Sequence, residues 1–135
     1  MSENNLEVAA RLFAAIENKD PAGVAAVYHD DIAVWHNFSN ASQDKATNLG
    51  VLTQLCESLA EIHYDVVERL QLADGRVLQR HVLRGVAEGG QETLIPACML
   101  ISIENGKIAR IEEYLDTGQA NRLRASSGRP PVGTA

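Results

Sequence analysis

The sequence predicts an α+β fold in which a curved antiparallel sheet wraps around a layer of three helices. Two observations carry that assignment. Apolar residues recur every three or four positions over residues 4–18 and 44–59, then alternate or run β-branched over residues 61–116. The pairs Asp74-Gly75, Gly89-Gly90 and Asn105-Gly106 cut the second region into four segments of strand length, each joined to the next by a hairpin signal. Helices first and a meander of strands afterwards is the pattern of a sheet packed on a helical layer.

The first helix is expected from Asn4 to Asn18, where Leu6, Val8, Ala9, Leu12, Phe13 and Ile16 share one face and charged residues the other. A short second helix comes next in DPAGVAAVYH, with Asp20 as N-cap and Pro21 at the first helical position, where a missing N–H is harmless. The third is expected from Asp44 to Leu59, on the spacing of Leu49, Leu52, Cys56 and Leu59. Segments 61–72, 76–86, 92–104 and 107–116 are the strands. The Pro/Gly-rich end, residues 126–135, is expected to form a flexible tail on a single domain spanning 1–125.

At 135 residues the chain is long enough to bury a core without a staple, and 45% hydrophobic with 22% charged residues is an ordinary globular composition. A net charge of -6 argues against nucleic acid or an anionic membrane as partner. Cys56 and Cys98 lie far apart without metal-ligand spacing, so neither a disulfide framework nor a metal site is expected, and a reducing cytoplasm fits. No segment has the apolar length of a membrane-spanning helix.

Strand alternation then sorts side chains onto two faces. On 107–116, Ala109, Ile111, Glu113 and Leu115 oppose Arg110, Glu112, Tyr114 and Asp116, which puts a carboxylate on an apolar stripe. On 76–84, Gln79 and His81 share a face with Val77 and Leu83, while Arg80 and Arg84 point the other way. LIPACMLISI is apolar on both faces and supplies Ile95, Ala97, Met99 and Ile101 for packing. In VWHNFSN, residues 34–40, the period leaves two choices: Ala33, Trp35 and Asn37 inward, or Ile32, Val34, His36 and Phe38.

The succession of a first helix, a DP-type short helix, HDDIAVWHNF, a third helix and strands ending in NGKIARIEEYLD resembles the nuclear transport factor 2-like superfamily. Within it, the chain is most similar to the group of SnoaL-like polyketide cyclases, limonene epoxide hydrolases and ketosteroid isomerases. The resemblance covers about residues 5–118 and implies a cone-shaped, cystatin-like α+β barrel with an apolar central cavity, usually a homodimer. It also implies that Trp35 and Asn37 point inward, with His36 turned away unless a bulge exchanges it for Asn37. Glu113 falls where the hydrolases and cyclases place an essential aspartate. Gln79 and His81 stand in place of the hydrolase Arg-x-Asp pair. Leu12 and Met99 stand where ketosteroid isomerase has its oxyanion tyrosine and protonated aspartate.

On this reading Trp35, Asn37, Gln79, His81 and Glu113 converge on the cavity, Met99 and Ile95 line it, and Glu113 with His81 carries proton transfer. The expected function is a cofactor-independent isomerase, cyclase or hydrolase acting on a small apolar molecule of terpenoid, steroid or polyketide type. The alternative is a non-catalytic ligand-binding or dimerisation domain. Plainer roles stand beside these: a buried structural Glu113–His81 pair, a core Trp35, and an Asn37 that caps backbone groups.

Overall fold

The computed structural model describes residues 4–126 and 128–129. Helix α1 (Asn5–Glu17) starts where Asn4 accepts the Glu7 N–H, and buries Val8, Ala9, Leu12, Phe13 and Ile16 along one stripe. Helix α2 (Pro21–Val27) is capped by Asp20, and α3 (Lys45–Ser58) by Asp44, which accepts the Thr47 N–H. The strands are β1 (Tyr28–His36), β2 (Ser42–Gln43), β3 (Glu61–Gln71), β4 (Val77–Val86), β5 (Glu92–Glu104) and β6 (Lys107–Leu115). Among the described residues they form one six-stranded curved sheet in the order β2-β1-β6-β5-β4-β3.

The α+β assignment holds, with two additions. The four expected strands pair as an antiparallel meander, and at Asn105-Gly106 both residues take positive φ, 51° and 77°, as a type I′ turn requires. The stretch that was ambiguous by period begins as the end of strand β1, which lies beside β6 and runs parallel to it, and continues after His36 into a turn. A fourth helix, α4 (Thr117–Ser126), begins where Asp116 accepts the Gln119 N–H and buries Ala120 and Leu123. Gly85 on β4 lets it dock, since a Cβ there would lie 2.8 Å from a Leu123 methyl and 3.1 Å from a Leu59 methyl. The first residue of the expected tail, Ser126, is thus the last residue of α4, while Ser127 and residues 130–135 lie outside the described residues.

Candidate functional site

Between the inner face of the sheet and helices α1, α3 and α4 lies a pocket of about 130 Å³. Val51, Leu52 and Leu55 of α3 are half-buried and line this space, the two leucines also touching the core. Leu12 and Ile16 of α1 close one side, while Ile95, Ala97 and Met99 of β5 and Leu83 of β4 form part of the sheet wall.

A single row across the sheet sets the polar groups. In register, His36 of β1 lies beside Glu113 of β6, Glu113 beside Met99 of β5, Met99 beside Gln79 of β4, and Gln79 beside Arg69 of β3. Neighbours in such a row share a face, so two polar pairs face inward with Met99 between them. At one end His36 Nε2 meets Glu113 Oε1 at 3.0 Å, both side chains largely withdrawn from solvent. His36 stacks on Phe38, ring centroids 5.0 Å apart, and its Nδ1 is buried with no hydrogen-bond partner. At the other end Arg69 Nε donates to Gln79 Oε1 at 2.6 Å, and the Gln79 amide lies 2.9 Å from His81 Nδ1. A shift in the β3–β4 register between Val66 and Glu68 is what turns Arg69 inward opposite Gln79.

The structure therefore redistributes the expected site. Glu113, Met99 and Ile95 line the pocket. Trp35 and Asn37 do not: they lie on the outer face, where Trp35 packs edge-on against Tyr114 at 5.2 Å and Asn37 exchanges hydrogen bonds with the Leu115 backbone. His36 takes the inward place. Tyr28, Ile32 and Val34 are buried at even positions of the strand, and His36 continues that parity. Gln79 and His81 do face inward, but both are buried behind the pocket wall and not in it, and Glu113 bonds His36 instead of His81. His81 is held between the rings of Tyr64 at 5.0 Å and Phe13 at 5.6 Å. Arg80 and Arg84 point outward as expected, where Arg80 pairs with Glu68 and Arg84 with Asp65 and Glu92.

Two site residues were missed by sequence reasoning. Tyr64 of β3 lines the pocket, and its hydroxyl has no hydrogen-bond partner among the described residues. Burial first, and the negative charge of Glu113 second, push that hydroxyl well above the usual tyrosine range, so it stays a donor. Tyr28 also lines the pocket and donates to Asn48 Oδ1 at 2.7 Å, while Asn48 in turn donates to Gln43. Its hydroxyl is raised by the same two causes. For His81, burial pulls the imidazole below its ordinary value against the opposing pull of Glu113. The one available signal for Tyr64 was its place on the apolar face of 61–72. Among the described residues no group of three or more His, Cys, Asp or Glu is placed to hold a metal ion.

A family model for the SnoaL-like domain matches residues 9–111, most of the chain. The chain belongs to the SnoaL-like family. Solved structures agree on the fold of this SnoaL-like chain. A protein from Catenulispora acidiphila with a ketosteroid isomerase-like fold, crystallised with trimethylamine, is 16% identical, with a TM-score of 0.74 over 98% of this chain and all of that one. PrhC from Penicillium brasilianum is 11% identical, with a TM-score of 0.80 over 91% of this chain and 87% of its own. An epoxide hydrolase from M. tuberculosis, like limonene epoxide hydrolase, is 16% identical, with a TM-score of 0.72 over 87% of this chain and 86% of its own. No curated protein matches the sequence. Identities this low speak to the SnoaL-like fold and leave the reaction to the pocket itself.

Proposed function

We propose that the chain is a cofactor-independent enzyme that moves a proton on a small apolar carbonyl compound, with His36 as general base, Glu113 orienting it and Tyr64 as the hydrogen-bond donor to the carbonyl oxygen. One observation carries the reading: a largely buried imidazole with one nitrogen held by a carboxylate at 3.0 Å and the other without a partner. A proton on Nε2 makes that hydrogen bond, which leaves the lone pair on Nδ1. A carboxylate so placed fixes the tautomer and then stabilises the imidazolium that forms when Nδ1 takes a proton, the division of labour seen in hydrolytic triads. Removing a proton from carbon beside a carbonyl sends the electron pair to oxygen, where the Tyr64 hydroxyl donates. Return of the proton to a different carbon completes an isomerisation.

Pocket size supports a modest substrate. A cavity of about 150 Å³ engineered in another protein holds benzene, so a space of this size takes roughly one ring of a larger terpenoid or polyketide-like molecule. On the outer face Tyr114 is 49% exposed against the half-buried Trp35, and Val67 of β3 is 61% exposed, which supports a second copy packed on this face as a homodimer. Free Cys56 and Cys98 suit the reducing cytoplasm.

The test is hydrogen–deuterium exchange at the α-carbons of a panel of small cyclic ketones, followed by proton NMR. Glu113→Gln and His36→Gln are each expected to slow the catalysed exchange about 100-fold or more, the usual worth of a positioned general base. Exchange that continues at the wild-type rate in both variants removes the proposal. Binding of the ketones with no exchange at any pH favours a ligand-binding domain.

A further inference from the structure

The pocket has a cationic rim that the proton-transfer reading does not use. Arg124, in the last turn of α4, and Arg129, just beyond it, both line the pocket, and both also border the open cleft beside it with Gln54, Glu57 and Ser58. The chain is folded back to put them together. Gly128 takes a left-handed φ of 74°, its N–H bonds the Ala125 carbonyl at 3.2 Å, and the Arg129 N–H reaches the Arg124 carbonyl at 2.6 Å. These are the two bonds of a Schellman closure, a fixed end to a helix in which the residue after the glycine returns over the last turn.

Holding two guanidinium groups here has an electrostatic cost. Burial lowers the proton affinity of both, and the charge of Arg124 lowers that of Arg129 further. Among the described residues the Arg129 side chain has no carboxylate or hydrogen-bond partner. Partial dipole charge at the helix C-terminus eases the repulsion but does not supply hydrogen-bond acceptors. A carboxylate does both, since it accepts two parallel N–H bonds from one guanidinium and is attracted to the second. Inside the pocket the situation is reversed. Glu113 is already engaged by His36 and repels a second carboxylate, so an anionic ligand has one orientation open to it: charge at the arginines, apolar body inward.

We infer that the ligand of this pocket is a small apolar carboxylic acid, with its carboxylate held by Arg124 and Arg129 and its apolar part directed at Glu113 and His36. This deepens the proposed proton transfer and rests on it only for the site being the same pocket. The probes are benzoate and benzamide, which share size and shape and differ in charge, titrated by calorimetry at low and high salt against the full chain. Benzoate is expected to bind about tenfold or more tightly than benzamide at low salt, with the preference shrinking as salt rises. Arg129→Gln is expected to remove that preference while leaving benzamide affinity unchanged and thermal stability no lower, and Arg129→Lys to restore only part of it, because the ammonium lacks the planar fork. Glu113→Gln is expected to keep benzoate binding, so failure of the catalytic reading and failure of this one are distinguishable. Equal affinity for the two probes, binding of neither, benzoate binding unaffected by Arg129→Gln, or binding of inorganic phosphate without any binding of benzoate each overturns the assignment.

Discussion

Acidification acts on this fold through His81, and the structure gives the sign of the effect. Gln79 Oε1 accepts from Arg69, so the amide end of Gln79 is what faces His81 Nδ1. Nδ1 must then be an acceptor, and the ring proton sits on Nε2. A second proton on Nδ1 would face the Gln79 N–H groups, and flipping the amide to meet it would set N–H against N–H at Arg69. Burial of the ring, 2% exposed, adds desolvation to that conflict. The folded value is accordingly depressed, with burial the leading cause and Arg69 a further one, against the opposing charge of Glu113. For a histidine depressed on folding, the unfolded chain binds the proton first. Stability from this group is complete above the unfolded value near 6.5 and declines as pH falls toward the folded one. One proton sets a limit of about 1.4 kcal/mol per pH unit in that window. Urea unfolding of wild type and His81→Phe, measured at intervals from pH 7.5 to 4.5, isolates the contribution as the difference in slope. Phenylalanine keeps an aromatic ring between Phe13 and Tyr64 but cannot titrate. Wild type is expected to lose stability faster than the variant below pH 6.5. Parallel curves, or a wild type that gains on the variant as pH falls, would refute the assigned tautomer and the burial argument together.

Two further outcomes test the docking of α4 and the outer face. Gly85→Ala pushes a Cβ into the Leu123 and Leu59 methyls; because those are flexible side-chain ends, the cost should fall near the low end for overpacking, about 1 kcal/mol. That is a fall of about 3–4 °C in Tm for a chain this size, read by calorimetry, with faster amide exchange in α4 as its local sign. Tyr114→Arg puts a charge into the exposed patch beside Trp35 and, if the proposed homodimer packs there, shifts sedimentation from dimer toward monomer while the far-ultraviolet spectrum stays unchanged.

Local chemistry made much of the fold legible. Asn4, Asp20 and Asp44 each cap a helix with a side-chain oxygen, and the Gly-containing turn pairs reverse the chain where their φ values demand it. Helix α4 was missed because it buries only Ala120 and Leu123, too few apolar residues to show a period, although Asp116 before Thr117 is a readable N-cap. The inward position of Glu113 was legible because, past the irregularity after Ile108, the strand alternates from Ile111 to Glu113 to Leu115.

The partner of Glu113 was not legible in the same way, and the reason is topological. Which side chain meets a given residue across a sheet depends on strand order, and β1 reaches β6 by a parallel pairing across more than half the chain, which no local period records. Parity within β1 was recoverable. Tyr28, Ile32 and Val34 form the apolar set, and a one-residue shift that turned Trp35 and Asn37 inward would have sent those three to solvent. The apolar side chains thus decide that an imidazole and not an amide reaches the carboxylate. Because His36 can both donate to Glu113 and keep a basic nitrogen free, which asparagine cannot, the chemistry open to this pocket is set by the burial of its apolar neighbours two and four residues earlier.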